Sequence, residues 1–433
     1  MKIRSTLALG VAAATALALT GCTGGTAGGG GDAGPVDTSG ELSGTIQFQT
    51  WSLKNEKFTP YFEDLIAAFE EEHPDVTVDW IDQPGDGYQD KILSQANSNT
   101  LPDVLNLPPD IAFPLVQAGK LLDLDKADPA LKDMYNAGGW DAYSDYSGVE
   151  GTYGLPWYLG SDASWWNLAA LQPYGITEDN LPSTTDEWLD AAEKVATDSD
   201  GKVQLVSSMP GLDTFVAAGL PVMDADGTFA FNTAEAEAIV QKYADAYAAG
   251  AMPAEALTGS YAGNAEMFLQ GKVAYTTGGP GFAGDLRTKA PTLADTSVAT
   301  ARPGTPPLFV QGINISNDSD NKEAALAFAK FLTNEENQVE FAILTGGGFA
   351  PGTAGGADEV VSAVQADLEP AQADAMALMF ESLPKAKATP FQWTGDMSTY
   401  LNQQIALAIK GDMTPKDALD KIVDYANQNR IDQ

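Results

Sequence analysis

The residues best suited to chemistry lie between Tyr153 and Asn167: Tyr-Gly-Leu-Pro-Trp-Tyr-Leu-Gly-Ser-Asp-Ala-Ser-Trp-Trp-Asn. Five of these fifteen are aromatic, and they include Trp157, Trp165 and Trp166, three of the chain's eight tryptophans. Trp and Tyr join a large apolar face to one polar handle, which suits a half-wet cleft better than a sealed core. Gly154, Pro156 and Gly160 interrupt the run where a core strand would continue. The stretch reads either as a cleft wall or as a buried strand pair filled with rings. We take it as a cleft wall at a crossing between two lobes, with Asp162 among its candidate ligand-binding residues.

Other chemistries have little to build on. There is no G-x-S-x-G, and the single histidine, His73, follows Glu70, Glu71 and Glu72 at a helix end, so a Ser-His or Cys-His system and a His/Cys zinc site are excluded. Gly279-Pro280-Gly281-Phe282-Ala283-Gly284 matches G-x-G-x-x-G, but it carries a proline and reads better as a tight turn that lets backbone approach a ligand. Asp224-Ala-Asp226-Gly227 and Asp318-Ser-Asp320 lack the spacing of an EF-hand loop. A glycosidase needs only two suitably spaced carboxylates, which 60 acidic residues neither forbid nor favour. No cofactor is expected.

The amino terminus sets the address. Lys2 and Arg4 precede an apolar run from Leu7 to Leu19, too short to span a membrane, in the manner of a secretory signal. Leu19-Thr20-Gly21-Cys22 then has the form of a bacterial lipobox, and Cys22, the sole cysteine, stands where acylation needs it. We therefore expect a signal over 1–21, lipidation of Cys22, a glycine-rich tether over 22–42 and a site at the outer face of the cell membrane, held by the lipid alone. Loss of Lys2 and Arg4 takes the net charge from −37 to near −39, which repels nucleic acid and anionic lipid at long range. With no disulfide available, a chain of this length must draw its stability from two sizeable cores.

The elements that position these groups alternate. Thr45 to Trp51 reads as a strand, a helix opens at Thr59-Pro60 with Phe62, Leu65, Ile66 and Phe69 inward, Val76 to Trp80 is a strand, Tyr88 to Ala96 a helix and Asp103 to Leu107 a strand. This order implies an open α/β sheet with parallel neighbours, whose ligands lie beyond the carboxyl ends of the strands. Trp51, Asn106 and Asp110 fall at such ends. Thr184 with Glu187 forms a capping box, a helix runs from Thr233 to Ala249, a strand from Lys272 to Thr277, another from Phe309 to Ile315, and helices over Lys322 to Thr333 and Met397 to Lys410 follow.

In order along the chain, the lipobox, Phe69-Glu-Glu-Glu-His-Pro-Asp-Val-Thr-Val, Leu101-Pro-Asp-Val, Gln117-Ala-Gly-Lys-Leu-Leu-Asp-Leu, Tyr153-Gly-Leu-Pro, Met267-Phe-Leu-Gln-Gly-Lys-Val-Ala and Gly411-Asp-Met-Thr-Pro-Lys-Asp-Ala-Leu resemble the carbohydrate-binding extracellular solute-binding proteins of ABC importers, the maltose-binding protein superfamily. The resemblance implies a two-lobed α/β fold, each lobe an open sheet flanked by helices, with a sugar gripped between the lobes and handed to permease subunits. It implies discontinuous lobes, 43–158 with 303–345 and 159–302 with 346–433, and a monomer without enzymatic activity. It also implies that Asp110 meets sugar hydroxyls, that Trp166 replaces a family Tyr before Asn, and that Gly279 belongs to a Gly-Pro turn. Here Gly281 precedes Phe282, so Trp157, Trp165 and Trp393 stand as alternative sources of the stacking ring. Polyol, glycerol phosphate, amino sugar and peptide remain open as ligands, and a surface glycoside hydrolase or an adhesin as other classes. Phosphate is disfavoured, since Arg287 and Arg302 are far in sequence from the proposed cleft.

Overall fold

Alternation in Thr45–Trp51 turns Ile46 and Phe48 to one side, and both are fully buried. The computed structural model describes residues 34–430 apart from 145, 147, 148, 225, 259 and 260; the signal and Cys22 lie outside the described residues. Its strands in chain order are β1 (Gly44–Trp51), β2 (Val76–Gln83), β3 (Val104–Leu107), β4 (Leu155–Gly160), β5 (Ala163–Asn167), β6 (Tyr275–Gly278), β7 (Ser297–Thr300), β8 (Phe309–Ile315) and β9 (Ala350–Pro351). One sheet runs β2-β1-β3-β8-β4-β9 and the other β6-β5-β7. The expected parallel neighbours are present, β1 lying between β2 and β3, while β8, β4 and β9 add antiparallel.

The helix pattern explains how the six-stranded sheet is covered. α1 (Thr59–Glu72) buries Phe62, Leu65 and Phe69 against the β1 side, and α2 (Tyr88–Asn97) buries Tyr88 and Ile92. Adjacent residues of β3 serve different cores: Val104 joins the cluster of Phe48 and Phe62, while Leu105 joins that of Tyr88 and Phe113. A third cluster fills the space between the three-stranded sheet and the helices Thr185–Asp198, Ala234–Ala248, Gly395–Lys410 and Pro415–Gln428. The first of these carries the expected capping box, Glu187 N–H donating to Thr184 Oγ1 at 3.2 Å and Thr184 N–H to Glu187 Oε2 at 3.2 Å.

The chain passes between the two sheets through short links. Only Ser161 and Asp162 separate β4 from β5, and residues 301–308 lead back from β7 to β8. The glycines at 346–348 do not mark a passage to the three-stranded sheet, where the boundary implied between 345 and 346 would put one, because β9 after them still pairs with β4 and helix Ala357–Val364 packs on helix Glu335–Leu344. They form a tight turn instead: Gly347 has φ +70°, and a Cβ there would lie 2.2 Å from the Met376 sulfur. The chain returns to the three-stranded sheet with helix Pro370–Ser382, which packs against β7. The expected strand from Lys272 begins later, at Tyr275; Ala274 N–H donates instead to Gln204 O at 2.7 Å. The last residues of the expected tether are docked, Val36 N–H donating to Ala127 O at 3.0 Å and Leu42 being buried.

Candidate functional site

The passages between the sheets border a cleft of about 420 Å³, within the roughly 300–1,000 Å³ of small-molecule sites. Asp162 reaches it from the first link, Arg302 and Thr305 from the second, Trp188 from helix Thr185–Asp198, and Trp393 from the turn before helix Gly395–Lys410. The parallel bridge between Pro307 and Lys387 brings Lys387 to the same wall. Of the described lining residues four are charged, Asp162 and Asp213 against Arg302 and Lys387, and eight are Ser or Thr.

The polar wall runs from the buried Asp162 to the exposed Asp213. Asp162 is buried, and Arg302 Nη2 stands 3.9 Å from Asp213 Oδ2. Tyr243 and Tyr275 are buried in the wall; burial raises both phenols above their ordinary value, and the Arg302 guanidinium opposes this in each. The Tyr275 hydroxyl lies 3.1 Å from Ser164 Oγ. Trp188 Nε1 is a buried donor without a hydrogen-bond partner among the described residues.

Of the ten candidate ligand-binding residues, Asp162 and Trp393 line this cleft. Trp393 donates through Nε1 to Ser398 Oγ at 2.8 Å and rests edgewise on Phe229 and Phe231. Gly279 sits just behind Asp162, where a Cβ would come within 4.0 Å of Oδ1. The rings of the central stretch turn away from the cleft. Trp157 is fully buried and stacks on Phe341 at 5.1 Å; Trp165 is fully buried, bonded to Gly278 O at 3.0 Å and packed on the edge of Phe282; Trp166 is fully buried, bonded to Thr300 Oγ1 at 2.8 Å. Phe282 is likewise core. The physical reason is that β4 and β5 are inner strands, each with a neighbour on both sides and apolar packing on both faces. Gly154 interrupts the stretch for a structural purpose, since a Cβ would lie 2.5 Å from the Tyr143 ring.

The three strand-end residues are outside the cleft lining. Asn106 is buried and donates to Gln311 Oε1 at 3.1 Å and Gly312 O at 3.2 Å, tying β3 to β8. Trp51 is half-buried with its ring 6.1 Å from Tyr88, and its Nε1 has no partner among the described residues. Asp110, in the first turn of α3 (Pro109–Gln117), is open to solvent yet walled by protein. That surrounding mass raises its carboxyl above the ordinary value, opposed by the backbone N–H groups of Asp110 and Ile111. Arg302, which the sequence reading set apart from the cleft when it disfavoured phosphate, lines it, and so do Trp188 and Phe309, which were not among the candidates. Arg302 stands at the boundary that the resemblance implied between 159–302 and 303–345, which was the available signal. Among the described residues no group of three or more His, Cys, Asp or Glu is gathered as a metal site requires.

The profile of the bacterial extracellular solute-binding protein family matches residues 55–339. The galactooligosaccharide-binding protein of Bacillus subtilis (strain 168) is 27% identical over 335 residues, 70% of this chain and 73% of that protein. A periplasmic-binding protein of Synechococcus sp. MITs9220 superposes with TM-score 0.77 at 24% identity, over 88% of this chain and 98% of that one. The cyclic alpha-maltosyl-1,6-maltose binding protein of Arthrobacter globiformis superposes with TM-score 0.70 at 20% identity, over 89% and 99%. With its two sheets, the links between them and the cleft those links border, the chain belongs to the bacterial extracellular solute-binding proteins and has their two-lobed fold.

Proposed function

We propose that this protein is the lipid-anchored substrate-binding component of an ABC importer, and that it captures an uncharged saccharide in the cleft and delivers it to membrane permease subunits. One observation carries the reading: in a chain of net charge −37, the charged side chains of the cleft balance, two acids against two bases. An acidic protein that neutralises its own cleft and lines it with hydroxyls suits a neutral polyhydroxyl ligand better than an anion or a cation. Asp162, Asp213 and Arg302 supply charged hydrogen-bonding groups, Trp188 Nε1 a donor that lacks a partner in the wall, and Trp393 an aromatic face for the apolar side of a sugar ring.

The relatives point the same way, since one binds galactooligosaccharides and another cyclic maltosyl-maltose. In this reading the lobes comprise roughly 43–160 with 309–364 and 163–300 with 370–430. Trp51 and Asp110 approach the ligand when the lobes close, and the protein acts as a monomer without catalysis. Binding then favours the closed form by the difference in affinity between the two states. Cys22 holds the protein at the outer membrane face, and nucleic acid plays no part.

The test is calorimetric titration of the purified protein with glucose, galactose, maltotriose and galactobiose, beside glycerol 3-phosphate and a tripeptide. A neutral saccharide should bind, be recovered intact, and lose most of its affinity to Trp393→Ala. Binding of glycerol phosphate or peptide alone would sink the proposal.

A further inference from the structure

Three large apolar side chains are exposed among the described residues, and two of them are phenylalanines that meet at one place: Phe309, 49% exposed, and Phe349, 36% exposed. Phe309 opens β8 and pairs across the sheet with Gly160, the last residue of β4. Phe349 immediately precedes β9, on the other side of β4. A Cβ built on Gly160 would lie 3.9 Å from Phe309 Cβ and Cδ2 and 3.6 Å from Phe349 Cδ1. The two rings therefore flank a residue without a side chain, and nothing of Gly160 fills the space between them.

This pair adjoins the cleft and is firmly backed. Phe309 is one of the cleft's lining residues, and Gly160 precedes the link that carries Asp162 into it. Tyr158 supports Phe349, with ring centres 4.6 Å apart, and itself leans on Phe341 at 5.7 Å and Trp157 at 5.1 Å. Those two are core residues. Aromatic surface held in place by a core binds without the entropy loss of ordering flexible side chains.

We propose that Phe309 and Phe349 form a stacking platform at the mouth of the cleft, on which the apolar face of one pyranose ring of the ligand lies. The inference rests on the saccharide reading above and refines it, assigning to two phenylalanines a stacking role for which sequence reasoning offered Trp157, Trp165 and Trp393 as alternatives. The hydroxyl rim of that ring faces the polar wall, and the inner chamber takes the adjoining part of the ligand. The chemical class is thus a pyranoside longer than one unit.

The experiment titrates the purified protein and four variants with whichever of maltotriose and galactobiose the unaltered protein binds more tightly. Phe309→Ala and Phe349→Ala should each weaken binding about tenfold, and Phe309→Tyr and Phe349→Tyr, which keep the ring, should stay within about twofold. Melting temperatures of the unliganded alanine variants should fall only slightly, because the rings are only partly packed, Phe309 being 49% and Phe349 36% exposed, and those of the tyrosine variants should match that of the unaltered protein. Alanine variants that bind as tightly as the unaltered protein would overturn the platform while leaving the saccharide reading intact. Equal losses in the tyrosine variants would also overturn it, by showing that ring stacking is not what the positions supply. Failure of the unaltered protein to bind either sugar, with glucose or galactose bound instead, would overturn the platform alone, and failure with all four saccharides would remove the saccharide reading as well.

Discussion

Replacing Gly304 by alanine should damage both the fold and the cleft, because this glycine lies in the second link between the sheets, between the cleft residues Pro303 and Thr305. Its φ is +82°, a left-handed conformation that costs an L-residue roughly 1–2 kcal/mol. A Cβ there would also stand 2.2 Å from Ala217 O, so the two segments must part by about 1.2 Å to reach an ordinary 3.4 Å contact. The obstructing atom is backbone and cannot rotate away. It is also the acceptor of the Thr305 N–H at 2.8 Å, a bond that the displacement strains or breaks for about 1 kcal/mol more. These two terms alone come to roughly 2–3 kcal/mol, on the order of a 4–12 °C fall in melting temperature, and parting the two segments adds to it. Two other glycines separate the contributions. Gly411 has φ +81° at a helix end with nothing near its Cβ, so Gly411→Ala should cost only the conformational part, about 1–2 kcal/mol. Gly281 has an ordinary φ of −62° and open space, so Gly281→Ala should be near neutral or slightly stabilising. Urea unfolding of the three variants reads the series. If Gly304→Ala costs no more than Gly411→Ala, the argument from the backbone clash is wrong.

The reassigned tryptophans give a second check: Trp157→Ala should lower stability by roughly 3–5 kcal/mol while leaving saccharide affinity within about threefold, whereas Trp393→Ala should weaken binding about tenfold with a smaller loss of stability. Calorimetry beside chemical denaturation distinguishes the two, and the opposite pattern would restore Trp157 to the cleft. For Asp110, surrounding protein raises the folded-state carboxyl, so its contribution to stability is fully present below the unfolded value of about 3.9 and is lost as pH rises through the folded value. Asp110→Asn should therefore raise the melting temperature near neutral pH, with the gain shrinking as pH falls toward about 4; thermal melts across that range would disprove this if the variant were less stable at neutrality.

Much of the scaffold was legible because hydrophobic period is a local property. Ile46 and Phe48 alternate, Phe62, Leu65 and Phe69 recur at helical spacing, and Thr184 with Glu187 announces a helix start; each appears where the pattern put it. Orientation of the aromatic stretch was not legible. A tryptophan on an inner strand and one on a cleft wall have the same neighbours in sequence, and only the partners of β4 and β5, brought from more than a hundred residues away, decide which faces are covered. Glycine was ambiguous for the same reason. Gly154 makes room for Tyr143 and Gly347 for Met376, contacts that no local signal records. The cleft itself is assembled from Asp162, Asp213, Arg302 and Lys387, four residues spread along the chain that only the links between the sheets collect.

The charge balance of that cleft is most directly tested by comparing neutral and charged versions of one ligand. The purified protein would be titrated with maltotriose and galactobiose, and with the phosphorylated or carboxylated forms of whichever binds. The account predicts that the neutral sugar binds, that it is recovered uncleaved, and that at a hundred times its dissociation constant it stabilises the fold by about 2.7 kcal/mol, with the charged forms weaker. Tighter binding of a charged form, or cleavage of the neutral sugar during the titration, would contradict it.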